Sequence, residues 1–241
     1  MKTLKSKLIL SALLTVLILI AVSAVGAESP RLSCSNLTAT IELEAPSTNS
    51  ECLTEVNNEA GPAGQSLTLA RISSASILLK DFFKENKIAP EATAFSVSGL
   101  SSVNPEIYQH AVNLTAMINA ANEGAATAAF TAPIPFLPYQ ESTQLVQLVP
   151  MQLDPINGSG IRFVTAYGNQ GDPVSNDNLF YTFQGMSQDG RFYLSVTIPI
   201  SNTMISGPTD PTTVDWTNVP ADSWQPALET LDDIVLSIQV R

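Results

Sequence analysis

An Asp-Gly pair between two apolar runs, at Asp189 and Gly190, constrains this chain more than any other feature. The runs NLFYTFQGM and RFYLSVTIPI flank it, and Asp-Gly between alternating apolar residues is the strongest short-range signal for a β-hairpin. A third apolar run, IRFVTAYG, comes shortly before them. We therefore expect residues 161–200 to form an antiparallel meander of three strands.

The last strand of this meander alternates apolar and polar residues. Its apolar positions are Phe192, Leu194, Val196, Ile198 and Ile200. Such a succession of inward positions predicts a central, buried strand. We expect the opposite side of the meander to face outward. Arg162 and Tyr193 on that side, with Asn178 in the polar loop between the first two strands of the meander, then form a candidate binding surface.

Two amphipathic helices are predicted. The first begins at Asn104, a good N-cap, and Pro105, whose missing N–H is not needed at the first helical position. Its apolar residues recur at intervals of three and four until Gly124 ends it. A second apolar stripe with helical spacing covers residues 224–238.

The remaining segments give weaker patterns. We expect strands over residues 36–44 and 143–153, the latter with an edge or a bulge at Pro150. Residues 77–84 fit either a buried strand or a helix, and their charged side chains favour a short helix. Residues 49–64 predict a long loop. Strands in succession between amphipathic helices predict an α+β fold, in which an antiparallel β-sheet meander is flanked by two amphipathic helices.

The N-terminus has the three parts of a secretory signal peptide. Lys2, Lys5 and Lys7 precede an uncharged apolar run over residues 8–22, and the small residues up to Ala27 suit cleavage after it. The run is shorter than the roughly 20 residues that span a bilayer, and an uncleaved N-terminal anchor is the alternative. We expect a secreted or extracytoplasmic, soluble protein with no membrane span after cleavage.

The chain divides into three predicted segments. These are a signal peptide over residues 1–27, a polar N-terminal extension over 28–65, and a single α+β domain over 66–241. The extension contains both cysteines of the chain, Cys34 and Cys52. In an oxidising compartment such an isolated pair predicts a structural disulfide, with a redox or metal-binding pair as the alternative.

The net charge of −11 disfavours nucleic acid and anionic membranes as partners, because both bind basic surfaces. It favours cations, including Ca²⁺. Asp172, Asn176 and Asp177 carry the carboxylate and amide oxygens that calcium takes. Their spacing does not match the EF-hand loop, and Asp and Asn also populate turns for conformational reasons. We expect no cofactor, with calcium at these residues as the alternative.

No catalytic constellation stands out in the sequence. The single histidine, His110, falls within the first predicted helix and is not accompanied by a Ser or Cys nucleophile motif. One histidine and a disulfide leave too few ligands for zinc. The 22 acidic residues leave a carboxylate-dependent hydrolase open, but its acid and base cannot be chosen without geometry.

The C-terminal half resembles a known family. The segments GSGIRFVTAYG, LFYTFQGMSQDGRFY and WQPALETLDDIVLSIQVR resemble a family of uncharacterised exported bacterial proteins with an RFxTxY…LFYTFQGxxxDGxxY signature, over residues 130–241. This resemblance implies export and carries over no functional residue. The order of the elements is also similar to the PsbP-like α/β/α sandwich of photosystem II extrinsic proteins, which implies a non-catalytic binding or assembly module.

Two functions remain after these exclusions. We expect an exported, non-enzymatic binding or assembly module whose partner is a protein, an envelope component or a small ligand. The alternative is an extracytoplasmic hydrolase that uses carboxylates, which predicts two such groups roughly 5–9 Å apart in a cleft.

Overall fold

The computed structural model describes residues 29–46, 49–55, 72–84, 88–103, 105–125, 130–137 and 142–241. Its strands are β1 (Arg31–Ser35), β2 (Thr40–Glu44), β3 (Ser50–Glu55), β4 (Ser74–Leu79), β5 (Glu91–Ser96), β6 (Thr143–Leu153), β7 (Gly158–Gly168), β8 (Phe180–Ser187), β9 (Phe192–Pro199), β10 (Ser201–Asn202), β11 (Trp224–Gln225) and β12 (Gln239–Val240). Its α-helices are α1 (Val97–Val103), α2 (Pro105–Ala120) and α3 (Leu228–Leu236). The α+β fold class is confirmed.

Seven of the strands form one antiparallel sheet, the large sheet, in the order β3-β4-β5-β9-β8-β7-β6. The predicted meander is confirmed as β7, β8 and β9. Its Asp-Gly pair forms the turn between β8 and β9, where Gly190 has φ 69°, a conformation that glycine adopts without steric penalty. Strand β9 lies between β5 and β8, which confirms the predicted central strand, and it is buried along its whole length, on both faces.

Other elements cover both faces of the large sheet. The small sheet β1-β2-β12 and helix α3 lie on one face, where Ile41 and Leu231 share a core with Leu194. Helix α2 lies on the opposite face, where Leu114 shares a second core with Phe163. The sheet flanked by two helices is therefore confirmed, and the small sheet is an addition that the sequence did not indicate.

Helix α2 confirms the first predicted helix. It continues into the π-helical turn Ala121–Ala125, in which Gly124 has φ 88° and breaks the helical geometry. The predicted N-cap, Asn104, lies outside the described residues. No helix in the described ranges is long and apolar enough to cross a membrane.

Two other helix predictions need correction. The short helix over residues 77–84 is wrong, because residues 77–79 belong to strand β4 and Lys80–Phe82 forms only a 3₁₀ turn. Strand β4 lies between β3 and β5 and is buried on both faces, so it lacks the alternation of a half-buried strand. The C-terminal helix is also shorter than predicted, since β11 pairs with β10 instead of joining α3.

The predicted disulfide is confirmed, and it joins the two sheets. Cys34 in β1 is bonded to Cys52 in β3, with the two Cα atoms 5.1 Å apart. Strand β3 replaces the first part of the loop predicted over residues 49–64, because it pairs along its length with β4. Strands on both sides of the predicted domain boundary at residue 65 thus belong to one sheet, and the boundary itself lies outside the described residues.

Strand β6 is an edge of the large sheet and contains the predicted irregularity at Pro150. The pairing of β6 with β7 shifts register between Leu148 and Met151, and Val149 has φ 45°. Proline lacks the N–H that a ladder needs, which confines it to edges and bulges. The bulge turns the Val149 carbonyl away from the ladder and leaves it free to accept a bond from a side chain.

Candidate functional site

The side of the meander that we expected to face outward is buried. Tyr193, Ser195 and Thr197 on β9 are at most 3% exposed, so the prediction of an outward face is wrong. Residues 130–137, which we call the crossing segment, and helix α2 pack over this face. Leu137 of the crossing segment is fully buried there.

Gln184 on β8 bonds to the crossing segment. Its Oε1 accepts from the Leu137 backbone N at 2.9 Å and from Tyr193 Oη at 2.7 Å. Its Nε2 donates to the Leu137 carbonyl at 3.1 Å and to Ser195 Oγ at 3.0 Å. Burial raises the pKa of the Tyr193 hydroxyl well above its usual value. Because these polar groups satisfy one another, the cluster stabilises packing and offers nothing to a ligand.

Arg162, also expected at the surface, is 6% exposed because α3 covers it. Its Nε lies 3.2 Å from Asp232 Oδ1, at an angle that makes no hydrogen bond, and its guanidinium donates to the Val149 carbonyl at the β6 bulge. Tyr181 Oη donates to the same Asp232 oxygen at 2.8 Å. The predicted binding surface is therefore wrong for Arg162 and for Tyr193.

The carboxyl group of Asp232 has a perturbed pKa. Burial raises this pKa, while the Arg162 guanidinium and the hydrogen bond from Tyr181 act in the opposite direction. A raised carboxyl pKa is common in catalytic acids, but structural ion pairs produce it as well. Asp232 is buried between α3 and the large sheet. Its contacts with Arg162 and Tyr181 therefore hold α3 against the sheet.

The calcium candidates lie in the loop between β7 and β8. Asp172 accepts hydrogen bonds within its own turn, and Asn176 Oδ1 accepts from the Asn202 backbone N at 2.7 Å. Asn178 is half-buried and bonds to backbone atoms of the same loop, while Asp177 is exposed. Across the described ranges, no group of three or more His, Cys, Asp or Glu side chains could hold a metal ion. Most of these side chains therefore shape the loop.

A groove opens between α2, the turn before β7 and the turn after β8. We call it the amide groove, and its volume is about 480 Å³. Its defining residues are Ile118, Asn119, Asn122, Asp154, Ser159 and Gln188. The volume is within the range of about 300–1,000 Å³ that is typical of small-molecule sites.

One wall of the amide groove is held by a chain of hydrogen bonds. Ser159 Oγ donates to Asp154 Oδ1 at 2.6 Å. Gln152 Nε2 donates to Ser159 Oγ at 3.2 Å and to Asn122 Oδ1 at 2.6 Å. Asn157, in the same turn, bonds to the backbone of β12. This wall is therefore positioned before any ligand arrives.

Two amides in the lining of the amide groove are not engaged. Asn119 on α2 and Gln188 in the β8–β9 turn are exposed, and neither side chain forms a hydrogen bond within the described part of the chain. Each amide offers donors and an acceptor. Ile118 and Met186 add apolar surface to the lining, as does Ile156, which is 58% exposed.

No protein-family model, curated protein or solved structure matches the chain. The function must therefore be inferred from the groove. Its residues come from three separate segments, which is why the sequence did not reveal them together. Asn119 near the end of α2 and Asn122 in the π-helical turn that follows were the only local signal, and a spacing of three residues is typical of any solvated helix face.

Proposed function

We propose that this protein is an exported, non-enzymatic module that binds an uncharged polar ligand in the amide groove. The observation that carries the proposal is the pair of unengaged amides, Asn119 and Gln188, in the same groove as a hydrogen-bonded wall. Small-molecule sites are typically concave and partly apolar, with a few convergent polar groups. Groups that are already positioned also lose less entropy on binding.

The electrostatics of the groove favour an uncharged ligand. Asp154 is the one carboxylate among the described residues that line it, and none of them is Lys or Arg. An anion would find no cation in this lining and would also be repelled by the net charge of −11. A ligand that carries hydroxyl or amide groups would satisfy both the donors and the acceptors of the groove.

A carboxylate-dependent hydrolase has less support. It needs two carboxylates that face one cleft, and one of them should have a raised pKa. Within the described lining of the amide groove, Asp154 has no acidic neighbour. Asp232, whose pKa is raised, lies beneath α3 instead. Hydrolysis is therefore not part of the proposal.

Export is supported by the signal-like N-terminal sequence and by the Cys34–Cys52 disulfide, which fits an oxidising compartment outside the cytoplasm. Cleavage after Ala27 would make Glu28 the first residue of the mature protein. Intact-mass measurement and N-terminal sequencing of the protein from its native location test this. Recovery of the uncleaved chain in the membrane fraction would indicate an anchor instead.

The order of the elements supports a PsbP-like α/β/α sandwich as the fold type. Strands precede helix α2, a meander follows it, and α3 packs near the C-terminal end, which is the order that the resemblance implies. A binding or assembly role would fit that fold, although a fold alone does not establish function. An experimental structure of a chain with the RFxTxY signature tests the fold type, and a strand order different from that of the PsbP-like sandwich would contradict it.

Nuclear magnetic resonance of the side-chain amides tests the binding role. The ¹⁵N-labelled protein is titrated with uncharged oligosaccharides and with neutral tripeptides. We expect saturable shifts of the NH₂ resonances of Asn119 and Gln188 with at least one probe. Asn113 is exposed on the same helix and does not line the amide groove, so its NH₂ group serves as the internal control.

The same samples test the absence of catalysis. We expect every probe to be recovered chemically unchanged after prolonged incubation. Consumption of a probe by the wild-type protein would contradict a non-enzymatic role. Titrations in which neither Asn119 nor Gln188 responds to any probe would remove the amide groove as the binding site.

A further inference from the structure

A second groove lies on the other side of the β8–β9 turn. We call it the hydroxyl groove, and its volume is about 590 Å³. Its defining residues are Thr38, Ser96, Ser98, Ser101, Tyr108 and Arg191. Tyr108 belongs to α2 and is 36% exposed, so part of its ring is accessible from the groove.

The two grooves meet at Gly190, which lines both. Nothing lies within 4 Å of the position that a Cβ atom would take at this residue, so no other atom crowds the turn at this point. Helix α2 borders both grooves, through Tyr108 on one side and Asn119 on the other. At 1.5 Å per residue these two positions are about 16 Å apart along the helix. An elongated ligand that passes Gly190 would lie in both grooves, which together are called the furrow.

The charged side chains in this furrow already have partners. Arg191 Nε lies 2.5 Å from Asp189 Oδ2, and its guanidinium stacks over the Phe192 ring at 5.4 Å from the centroid. Asp154 accepts a hydrogen bond from Ser159. Most of the remaining polar lining consists of hydroxyl and amide groups, which can both donate and accept. The furrow is thus matched to a neutral ligand with polar groups along its whole length.

We propose that the ligand is a linear, uncharged oligosaccharide that lies along α2 and occupies both grooves. This inference rests on the binding role proposed above and adds the ligand class and the second groove. Sugar hydroxyls bond to the amides at one end and to the serine hydroxyls at the other. The Tyr108 ring supplies an apolar surface with a polar tip, on which the C–H face of a sugar unit packs.

An extended peptide fits the furrow less well. Alternate side chains of an extended chain point to the same side, and peptide grooves provide recesses for them. The hydroxyl groove instead presents serine and threonine hydroxyls at four of its six defining positions. Peptide binding is therefore the competing outcome in the experiment below.

Ligand length provides the first measurement. The protein is titrated with β-1,4-linked glucose, β-1,4-linked N-acetylglucosamine and α-1,4-linked glucose, each as a disaccharide and as a tetrasaccharide, in a calorimeter. We expect at least one tetrasaccharide to bind about tenfold or more tightly than its disaccharide. The second groove adds contacts without a second loss of translational freedom.

Two variants locate the ligand in the furrow. Asn119→Ala and Tyr108→Ala are each expected to weaken tetrasaccharide binding about 3- to 10-fold, the effect of one or two net contacts. Asn113→Ala is the matched control, because it removes an exposed asparagine of the same helix from outside the furrow. Thermal unfolding of each variant establishes that it folds.

The outcomes separate this inference from the binding role on which it rests. Equal affinity for disaccharide and tetrasaccharide, with no effect of Tyr108→Ala, confines the ligand to the amide groove and overturns the inference alone. Binding of neutral peptides but of none of the sugars, with loss in Asn119→Ala, shows that the ligand class is wrong. If sugars and peptides both leave the Asn119 and Gln188 resonances unmoved, both proposals fail.

Discussion

Replacement of Gln184 by leucine tests how the crossing segment is held on the large sheet. The Gln184 side chain is fully buried, and its Oε1 is the acceptor for two buried donors. These donors are the Leu137 backbone N, at 2.9 Å, and Tyr193 Oη, at 2.7 Å. Gln184→Leu keeps a side chain of similar size and removes the acceptor from both donors. We expect the variant to fold with a lower free energy of unfolding.

The expected loss follows from these contacts. A buried donor left without an acceptor costs about 1–3 kcal/mol, so two donors cost about 2–6 kcal/mol. Tyr193 Oη keeps a long contact of 3.4 Å to the Pro135 carbonyl, which reduces the part of this cost that comes from the tyrosine. The added apolar surface of leucine contributes about 1 kcal/mol of stabilisation. The net expectation is a loss of about 1–4 kcal/mol, which is appreciable against the 5–15 kcal/mol typical of folded domains.

Urea unfolding, followed by tryptophan fluorescence, measures this loss as a lower midpoint with an unchanged slope. Gln188→Leu is the matched control, because Gln188 is exposed in the adjoining turn, and its replacement should change stability by no more than about 0.5 kcal/mol. A loss below about 1 kcal/mol for Gln184→Leu would refute the reasoning, because it lies below the range expected for two orphaned buried donors.

Three further outcomes are expected. Cys34→Ala removes a disulfide with a sequence separation of 18 and should lower the free energy of unfolding by about 3 kcal/mol in the same assay; an unchanged midpoint would contradict this. Arg162→Met leaves the Asp232 carboxyl buried without its cation and should lower the free energy of unfolding by about 3–5 kcal/mol. Adding Asp232→Asn should recover most of this loss, and additive losses in the double-mutant cycle would argue against the ion pair. The side-chain hydrogen bond from Ser187 lowers the pKa of Asp189 from 3.8 to about 2. The stabilisation by the Asp189 carboxylate is therefore present above pH 3.8 and is lost as the pH falls towards 2. The difference in melting temperature between wild type and Asp189→Asn should shrink over that interval. A difference that persists at low pH would show that the Asp189 charge is not its cause.

The elements with signals inside their own segment were predictable. The hairpin between β8 and β9 follows from the conformation that glycine permits at Gly190. Helix α2 follows from an apolar period bounded by Pro105 and Gly124. In both cases the residues that set the structure lie within a few positions of one another.

Strand β4 shows why nearby sequence was insufficient elsewhere. Ile77 and Leu79 share the core beneath the small sheet, while Ser76 on the other face bonds to Thr93 of β5 at 2.7 Å. The environment of β4 is set by its neighbours β3 and β5 and by the elements that bury both of its faces. A short apolar run in that position has no period that separates a strand from a helix.

The site was hidden for a related reason. Alternating polar residues on a strand usually face solvent, but Ser195 donates to the Leu137 carbonyl, 58 residues away in the sequence. The amide groove likewise brings together side chains of α2, the turn before β7 and the turn after β8. Each of these segments resembles an ordinary solvated helix face or turn, and only their tertiary arrangement makes a groove.

The pairing of β5 with β9 also predicts an order of events during folding. Strands β6 to β9 follow one another in the sequence and each pairs with the next, so their pairings are local. Ala94 faces Leu194, and closing a loop of about a hundred residues is slow compared with forming a hairpin. A chain that crosses a membrane N-terminus first would deliver β5 before its partner. Until β9 follows, β5 would remain an open strand edge, and the time that this edge stays open would set the risk of aggregation before folding is complete.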